Sequence, residues 1–188
     1  MGIKTNLISY DTAYFEHMLE MYAGSGRKVN EIRWQFLKQL EPKLVLDYGC
    51  GCNMFDLYRP EEVTVDSYDI GTIGVSAYPQ TGIRHERYDV VCFWDVLEHV
   101  DWEREPDEEI LKWMQRADFV AISLPILPSY FENMEMWKHY KPGEHLTYFT
   151  SESLTEFMEE KGFELIEHDM PECPPRDDIH SFIFRKKQ

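Results

Sequence analysis

The residues best suited to chemistry fall in two short stretches. The first is Leu46-Asp47-Tyr48-Gly49-Cys50-Gly51-Cys52-Asn53, an apolar run that breaks into glycines. Glycine allows a tight turn and lets a ligand approach the backbone closely. A dinucleotide site would place a third glycine four positions after Cys50 and aim a helix N-terminus at the pyrophosphate. Met54 stands there instead, and a carboxylate at Asp47 would repel a diphosphate. It suits a cationic ligand, one carrying an amine or a sulfonium. The bland alternative is a plain strand-to-helix turn.

The second stretch holds Asp95, Glu98 and His99. If a helical turn begins after Trp94, spacings of i, i+3 and i+4 bring all three to one face. Two carboxylates and an imidazole make a site for Mg²⁺, Mn²⁺ or Zn²⁺. The other reading is that Glu98 and His99 simply hydrogen-bond each other and the neighbouring loop. Further on, Trp137-Lys-His-Tyr-Lys-Pro-Gly-Glu-His145 is rich in polar and aromatic side chains. Without a metal, His145 or His139 could act as a general base, since imidazole titrates near neutrality. His139 reads more simply as a surface histidine. Arg176 stands between Pro175 and Asp177-Asp178. It could bind an anionic substrate group, but pairing with the acids beside it is the expectation.

These residues need elements to hold them. Helical spacing over 11–23 and 29–40 is broken by Gly24-Ser25-Gly26 and ended by Pro42. Apolar runs at 43–47, 63–70, 88–94 and 117–124 read as strands, with a helix near 105–116. A further helix opens at Ser151 and closes at Gly162, followed by strands at 163–168 and 179–185 around a proline-rich loop over 171–176. Strands alternating with helices imply a doubly wound sheet whose ligand crevice lies at the carboxyl ends of its strands. Only 18 residues separate Asp69 from Tyr88, among them Gly71, Gly74, Pro79 and Gly82. That is too few for a helix, a strand and their connections, so the third strand is expected to be shortened or missing.

The 188 residues are 43% hydrophobic and 14% aromatic, enough for one domain with a full core. Residues 1–41 read as a helical cap, whose Tyr10, Tyr14 and Tyr22 would cover the crevice, and 42–188 as the catalytic core. Asp and Glu number 35 against 19 Lys and Arg, a formal charge of −16. Such a surface opposes gripping a nucleic-acid backbone, so a small molecule is the expected partner. Cys50, Cys52, Cys92 and Cys173 form no Cys-x-x-Cys pair and read as reduced thiols. No apolar run reaches the roughly 20 residues of a membrane span. The first residues carry no secretory pattern, and Asn6 stands where myristoylation wants Ser or Thr. A soluble, cytoplasmic protein without a membrane partner is the expectation.

Together the motifs resemble the class I S-adenosylmethionine-dependent methyltransferases, over about 43–168. That family ends its first strand in Asp/Glu-x-Gly-x-Gly-x-Gly. Asp47-Tyr-Gly49-Cys-Gly51-Cys-Asn53 fits it except at Asn53, a residue type that tolerates left-handed backbone. The resemblance implies a Rossmann-like sheet, mostly parallel, with an antiparallel C-terminal hairpin. It also implies an acid on the ribose hydroxyls at the end of strand two. Asp69, 16 residues past Asn53, is the choice and Asp66 the alternative. No adenine contact can be assigned between 70 and 88. Leu97-Glu98-His99 is similar to the signature of metal-dependent O-methyltransferases, namely the small-RNA 3′-terminal 2′-O-methyltransferases and the ubiquinone-biosynthesis enzymes. Asp95 replaces their first Glu, and His145 in His145-Leu-Thr-Tyr-Phe-Thr150 matches a further metal-binding His of the RNA enzymes.

By this resemblance Asp47, Gly49, Cys50, Gly51, Asp69 and Trp94 bind the cofactor. Asp95, Glu98, His99 and His145 bind a metal, and Glu98, His99 and His145 handle the acceptor proton. The implied reaction is methyl transfer to an oxygen or nitrogen of a small molecule. Two rivals stand beside it: RNA 3′-terminal 2′-O-methylation, opposed by the −16 charge, and a non-catalytic cofactor-binding regulatory protein on the same scaffold, opposed by the intact Asp47 loop. A nicotinamide oxidoreductase is opposed by Asp47 and Met54.

Overall fold

The computed structural model describes residues 17, 20, 26–70, 80–129, 133–174 and 176–188. Most of the helix expected over 11–23, with Tyr10, Tyr14 and Tyr22, lies outside them; His17 and Glu20 are helical. Among the described residues six strands form one sheet: β1 (Leu44–Tyr48), β2 (Thr64–Tyr68), β3 (Tyr88–Trp94), β4 (Ala117–Pro125), β5 (Phe163–Asp169) and β6 (Ile179–Lys186), in the order β2-β1-β3-β4-β6-β5. The first four are mutually parallel, and β6 runs antiparallel between β4 and β5. This is the mostly parallel, doubly wound sheet with a C-terminal hairpin that the sequence implied. The α-helices with described bounds are α1 (Gly26–Leu37), α2 (Met54–Leu57), α3 (Glu108–Met114) and α4 (Ser151–Glu160). No helix among the described residues is long and apolar enough to cross a membrane.

The central strands are apolar on both faces because both are covered. Side chains alternate across the sheet. Leu46, Val91, Phe93 and Ile122 face one core with Met114, Leu154 and Met158. Val45, Val90, Cys92 and Ala121 face the other, closed by Trp34 and Leu37 of α1. The helix α4 starts where its cap dictates: Thr150 Oγ1 accepts from Ser153 N and Ser153 Oγ accepts from Thr150 N, a reciprocal capping box. On α1 the buried stripe Val29–Arg33–Leu37 carries a charge in its middle. That arginine belongs to the site.

Among the described residues no strand lies between β2 and β3, as the short spacing implied. Residues 81–84 lie along the exposed edge of β2 instead. Gly82 N donates to Ser67 O at 3.0 Å, Thr81 N to Ser67 Oγ at 3.1 Å, and Ser67 N to Thr81 Oγ1 at 2.8 Å. Covering an edge in this way blocks its use as a template for another strand.

Asp66, fully buried on β2, anchors the same segment. It accepts from Arg84 N and Nε and from Tyr88 Oη, each at 2.7 Å, and pairs with His85 Nδ1 at 2.9 Å. Burial alone would raise its pKa, but the hydrogen bonds from Tyr88, His85 and Arg84 hold it at about 2. The carboxylate therefore adds stability above its ordinary 3.8, roughly 2 kcal/mol at neutral pH. This contribution is lost as pH falls through about 2. In urea unfolding, Asp66→Asn is expected to cost about that much at pH 7, with a gap from the wild type that narrows between pH 4 and 2.

Candidate functional site

A cavity of about 370 Å³ opens at the carboxyl ends of β1 and β3, within the size range of small-molecule sites. Among the described residues, four buried polar atoms in its wall have no hydrogen-bond partner: Asp47 Oδ1, Trp94 Nε1, Glu98 Oε2 and His145 Nδ1. An unmet buried polar group costs about 1–3 kcal/mol. Four of them around one cavity mark the atoms that a ligand would complete.

The glycine loop shapes one end. Gly49 has φ +82°, Gly51 +51° and Asn53 +55°, so Asn53 does adopt the left-handed backbone that its position in the motif asks for. A Cβ on Gly49 would sit 2.5 Å from Val96 Cγ2. Only glycine lets the loop pass this close to the turn after β3. The amides of Gly49 and Cys50 donate to Tyr68 O at 2.7 and 3.0 Å, and that of Gly51 to Asp69 Oδ2 at 2.8 Å. Three successive N–H groups are thus used inside the protein, which removes the amide cradle a diphosphate would need. Burial, together with nearby Asp47 and Asp69, pushes the Cys50 thiol up, so it stays protonated.

Asp47 is buried at the end of β1. Burial raises its pKa to about 7, with Arg33 pulling it down and Asp69 and Asp56 pushing it up. A carboxylate this poorly solvated is stabilised by a cationic partner. Asp69 borders the cavity through its bond to the loop. Asp66 does not line it, and its oxygens are committed to Arg84, His85 and Tyr88. Of the two acids weighed from the sequence, Asp69 is the one at the crevice. Trp94 ends β3 with the Arg33 guanidinium 5.0 Å from its ring centroid.

The other end is made by loops. A short 3₁₀ turn, Leu97–His99, follows β3. The Glu98 carbonyl accepts from Leu146 N at 2.7 Å and Thr147 N at 3.1 Å, which brings His145 alongside. Glu98, His99 and His145 each offer one ligand atom, all within 4.8 Å of one another. His99 Nδ1 lies 2.9 Å from the Glu144 carbonyl. A carbonyl only accepts, so Nδ1 carries the proton and Nε2 keeps its lone pair, the usual state of a metal-ligating histidine. Burial lowers the pKa of His99. Burial, with His99 and Lys141 beside it, takes His145 down to about 4. Burial and the nearby charge of Asp95 push Glu98 well above the usual carboxylate range. Two neutral imidazoles and a carboxyl with an oxygen that no described group bonds are a donor set that fits a divalent cation.

Asp95 is not part of that set, contrary to the expectation from spacing. Its φ is +59° and the 3₁₀ turn starts only at Leu97, so the assumed i, i+3, i+4 face does not exist. Its oxygens instead accept from Arg176 Nη2 at 2.7 Å and Arg33 Nη2 at 2.9 Å. Despite burial, Arg176 and Arg33 hold its pKa well below the usual range. Arg176 likewise bypasses Asp177 and Asp178 for Glu172 and Asp95. The sequence reading missed Arg33 and Glu172. The available signal was Arg33 itself, a charge within the apolar stripe of α1. His139 lies at the cavity rim with Nε2 at 3.1 Å from the Asp177 carbonyl.

A family profile described as a methyltransferase domain matches residues 14–168. No curated protein matches the chain by sequence. Among solved structures, the chain is similar to magnesium protoporphyrin IX methyltransferase (ChlM) from Synechocystis PCC 6803 with bound SAH. The TM-score is 0.70 at 16% identity, covering 95% of this chain and 96% of that one. It is also similar to the 1,6-didemethyltoxoflavin-N1-methyltransferase of Burkholderia thailandensis (TM-score 0.62, 12% identity, 94% and 85% covered). A third likeness is to the 16S rRNA methylase ArmA (TM-score 0.56, 16% identity, 92% and 90% covered). The profile spans both the glycine loop and the Glu98–His145 cluster, and the chain belongs to the class I S-adenosylmethionine-dependent methyltransferases.

Proposed function

We propose that the protein transfers the methyl group of S-adenosylmethionine to an oxygen, or a nitrogen, of a small-molecule acceptor, with a divalent metal at Glu98, His99 and His145. The observation that carries this reading is the set of four unmet polar atoms around one cavity, two on the strand ends and two on the loops. Asp47 would take the cofactor's ammonium, and Asp69 its ribose hydroxyls. Trp94 Nε1 offers a donor to its carboxylate, while Gly49 and Gly51 let it lie close to the backbone. Residues 1–41 would cap this end, with 42–188 as the catalytic core; Arg33 of α1 already lines the cavity.

Methyl transfer is an in-line displacement. A lone pair on the acceptor attacks the methyl carbon, and the sulfur leaves with the bonding pair as a neutral thioether. Positioning and exclusion of water supply much of the rate. Glu98, His99 and His145 are the groups that could hold a metal, which when bound lowers the pKa of a coordinated hydroxyl and orients it. His145 stays neutral at pH 7, and as the Nε2–H tautomer its unpartnered Nδ1 would offer a lone pair either to a cation or to an acceptor hydroxyl. A small-molecule acceptor is supported by the −16 charge and by the substrates named for the Synechocystis and Burkholderia enzymes.

Thermal unfolding with S-adenosylhomocysteine, S-adenosylmethionine and NAD tests the cofactor. At ~100 times the dissociation constant, either adenosyl compound is expected to raise Tm by roughly 5–10 °C, and NAD not at all. A shift with NAD alone would overturn the reading. Cobalt(II) tests the metal through its visible absorption. His145→Ala should weaken cobalt binding by at least about 10–100-fold, the cost of losing even an outer-shell partner, while keeping the S-adenosylhomocysteine shift. Equal cobalt affinity in the two proteins would remove His145 from the site.

A further inference from the structure

Arg33, Asp95, Arg176 and Glu172 close a ring of ion pairs. Arg33 donates through Nη2 to Asp95 Oδ2 at 2.9 Å and through Nε to Glu172 Oε1 at 2.8 Å. Arg176 donates through Nη2 to Asp95 Oδ1 at 2.7 Å and through Nη1 to Glu172 Oε2 at 2.5 Å. Each carboxylate is shared by both guanidinium groups, and the four charges cancel. Ser123 Oγ on β4 adds a bond to Glu172 Oε1 at 3.0 Å. The ring therefore joins α1, β4, the loop between β5 and β6, and the turn after β3.

Both guanidinium groups bind the two carboxylates, and the chain next to them carries the cluster. Asp95 lies two residues before the turn that carries Glu98 and His99. It holds a left-handed φ of +59°, a conformation uncommon for a residue with a side chain. Two guanidinium groups, one from 62 positions earlier and one from 81 positions later, each bind one of its oxygens and keep it there. The β5–β6 loop also grips the segment leading to His145. Trp137 Nε1 donates to Asp178 Oδ2 at 3.1 Å, His139 Nε2 to the Asp177 carbonyl at 3.1 Å, and Lys138 Nζ lies 3.4 Å from Asp177. One loop thus controls both strips of chain that bear the cluster.

We infer that Arg33, Asp95, Arg176 and Glu172 are positioning residues: by capturing Asp95 the ring aims Glu98 and His99 at His145, so the β5–β6 loop sets the geometry of the acceptor end. The inference rests on reading Glu98, His99 and His145 as that end, but its test needs neither acceptor nor metal. Long-range ¹H–¹⁵N spectra of the histidine rings report tautomer and surroundings directly. In the wild type His99 should appear as a single Nδ1–H tautomer, held by the Glu144 carbonyl. In R176M and D95N the His99 signals are expected to move toward a tautomer average and the His145 signals to shift, with cooperative thermal unfolding retained. R176K, which keeps the charge but not the fork, should restore the pattern in part.

His99 and His145 signals that superimpose on the wild type in both R176M and D95N would overturn the inference. So would loss of cooperative unfolding in the near-isosteric D95N, since the ring would then serve folding rather than aim. Failure of the wild type to bind S-adenosylhomocysteine would sink the methyltransferase reading and leave the ring spectra to decide this one.

Discussion

Asp47→Asn should make the ligand-free protein more stable and leave it unable to hold its cofactor. Burial raises this carboxyl from an ordinary 3.8 to about 7. A carboxyl whose pKa rises on folding binds its proton more tightly in the folded state. Its contribution to stability therefore falls as pH climbs between those two values and is fully unfavourable above the upper one. A shift of this size corresponds to roughly 4 kcal/mol, and asparagine, having no charge to desolvate, removes it. At pH 8 the substitution is expected to add about 2–4 kcal/mol, or roughly 5–10 °C in Tm, with the gain vanishing near pH 4. The same variant should bind S-adenosylhomocysteine at least about 100-fold more weakly, because a buried charge-assisted bond to the ammonium is lost. Unfolding scans across pH, paired with calorimetric titration, read both effects. A Tm at pH 8 equal to or below that of the wild type would contradict the argument. If Asp47 takes the cofactor's ammonium as proposed, its carboxylate is a cost that folding bears for the sake of binding, the usual exchange of stability for function.

Two alanines in the same loop should behave very differently. Gly49 and Gly51 both hold left-handed backbone, which costs a residue with a Cβ roughly 1–2 kcal/mol. At Gly51 nothing lies within 4 Å of the added carbon, so Gly51→Ala should cost only that strain. At Gly49 the carbon would sit 2.5 Å from Val96 Cγ2. Overpacking of this kind adds about 1–3 kcal/mol, for a total of roughly 3 kcal/mol or more. Val96→Ala should recover the steric share in the double variant and leave the backbone share, giving a coupling of about 1–2 kcal/mol in a double-mutant cycle. Urea unfolding of the four proteins measures it. Equal losses for the two alanines would show that the loop has slack that the geometry denies. Val96 leads into the Leu97–His99 turn, so Gly49→Ala is also expected to weaken cobalt binding by about tenfold, in line with a positioning contact one step from a ligand.

The parts of this site that could be read from the chain are those made by neighbours in sequence. Asp47, Gly49, Gly51 and Asn53 declare a turn by residue type and spacing alone, and Glu98 beside His99 needs no fold to come together. Strand ends were legible because apolar runs stop where burial stops; Tyr88–Trp94 is such a run, ended by Asp95. Asp69 and Asp66 could not be ranked by spacing, because the difference between them is one of partners. Arg84, His85 and Tyr88, well downstream, consume Asp66. Asp95 was misplaced because helical spacing was assumed at a residue whose backbone is left-handed. The cause lies in two arginines far away in sequence. Glu172 gave no local sign of its fate: one acid in a proline-rich loop looks like any other until the loop is seen to fold against α1.

The two ends of the cavity are made of different material. At the glycine loop the main chain does most of the shaping, through the amides of residues 49–51, the Tyr68 carbonyl and three left-handed positions. At the other end the wall consists of side chains on loops and at the start of β6, with His139, Lys141, Glu144 and Ile179 among them. Mutation replaces side chains freely but changes a backbone path only by disturbing the fold. On the proposed reading, choice of acceptor is therefore the evolvable half of this protein and choice of methyl donor the frozen half. A library randomised at those four positions would explore new acceptors while every member kept the same donor.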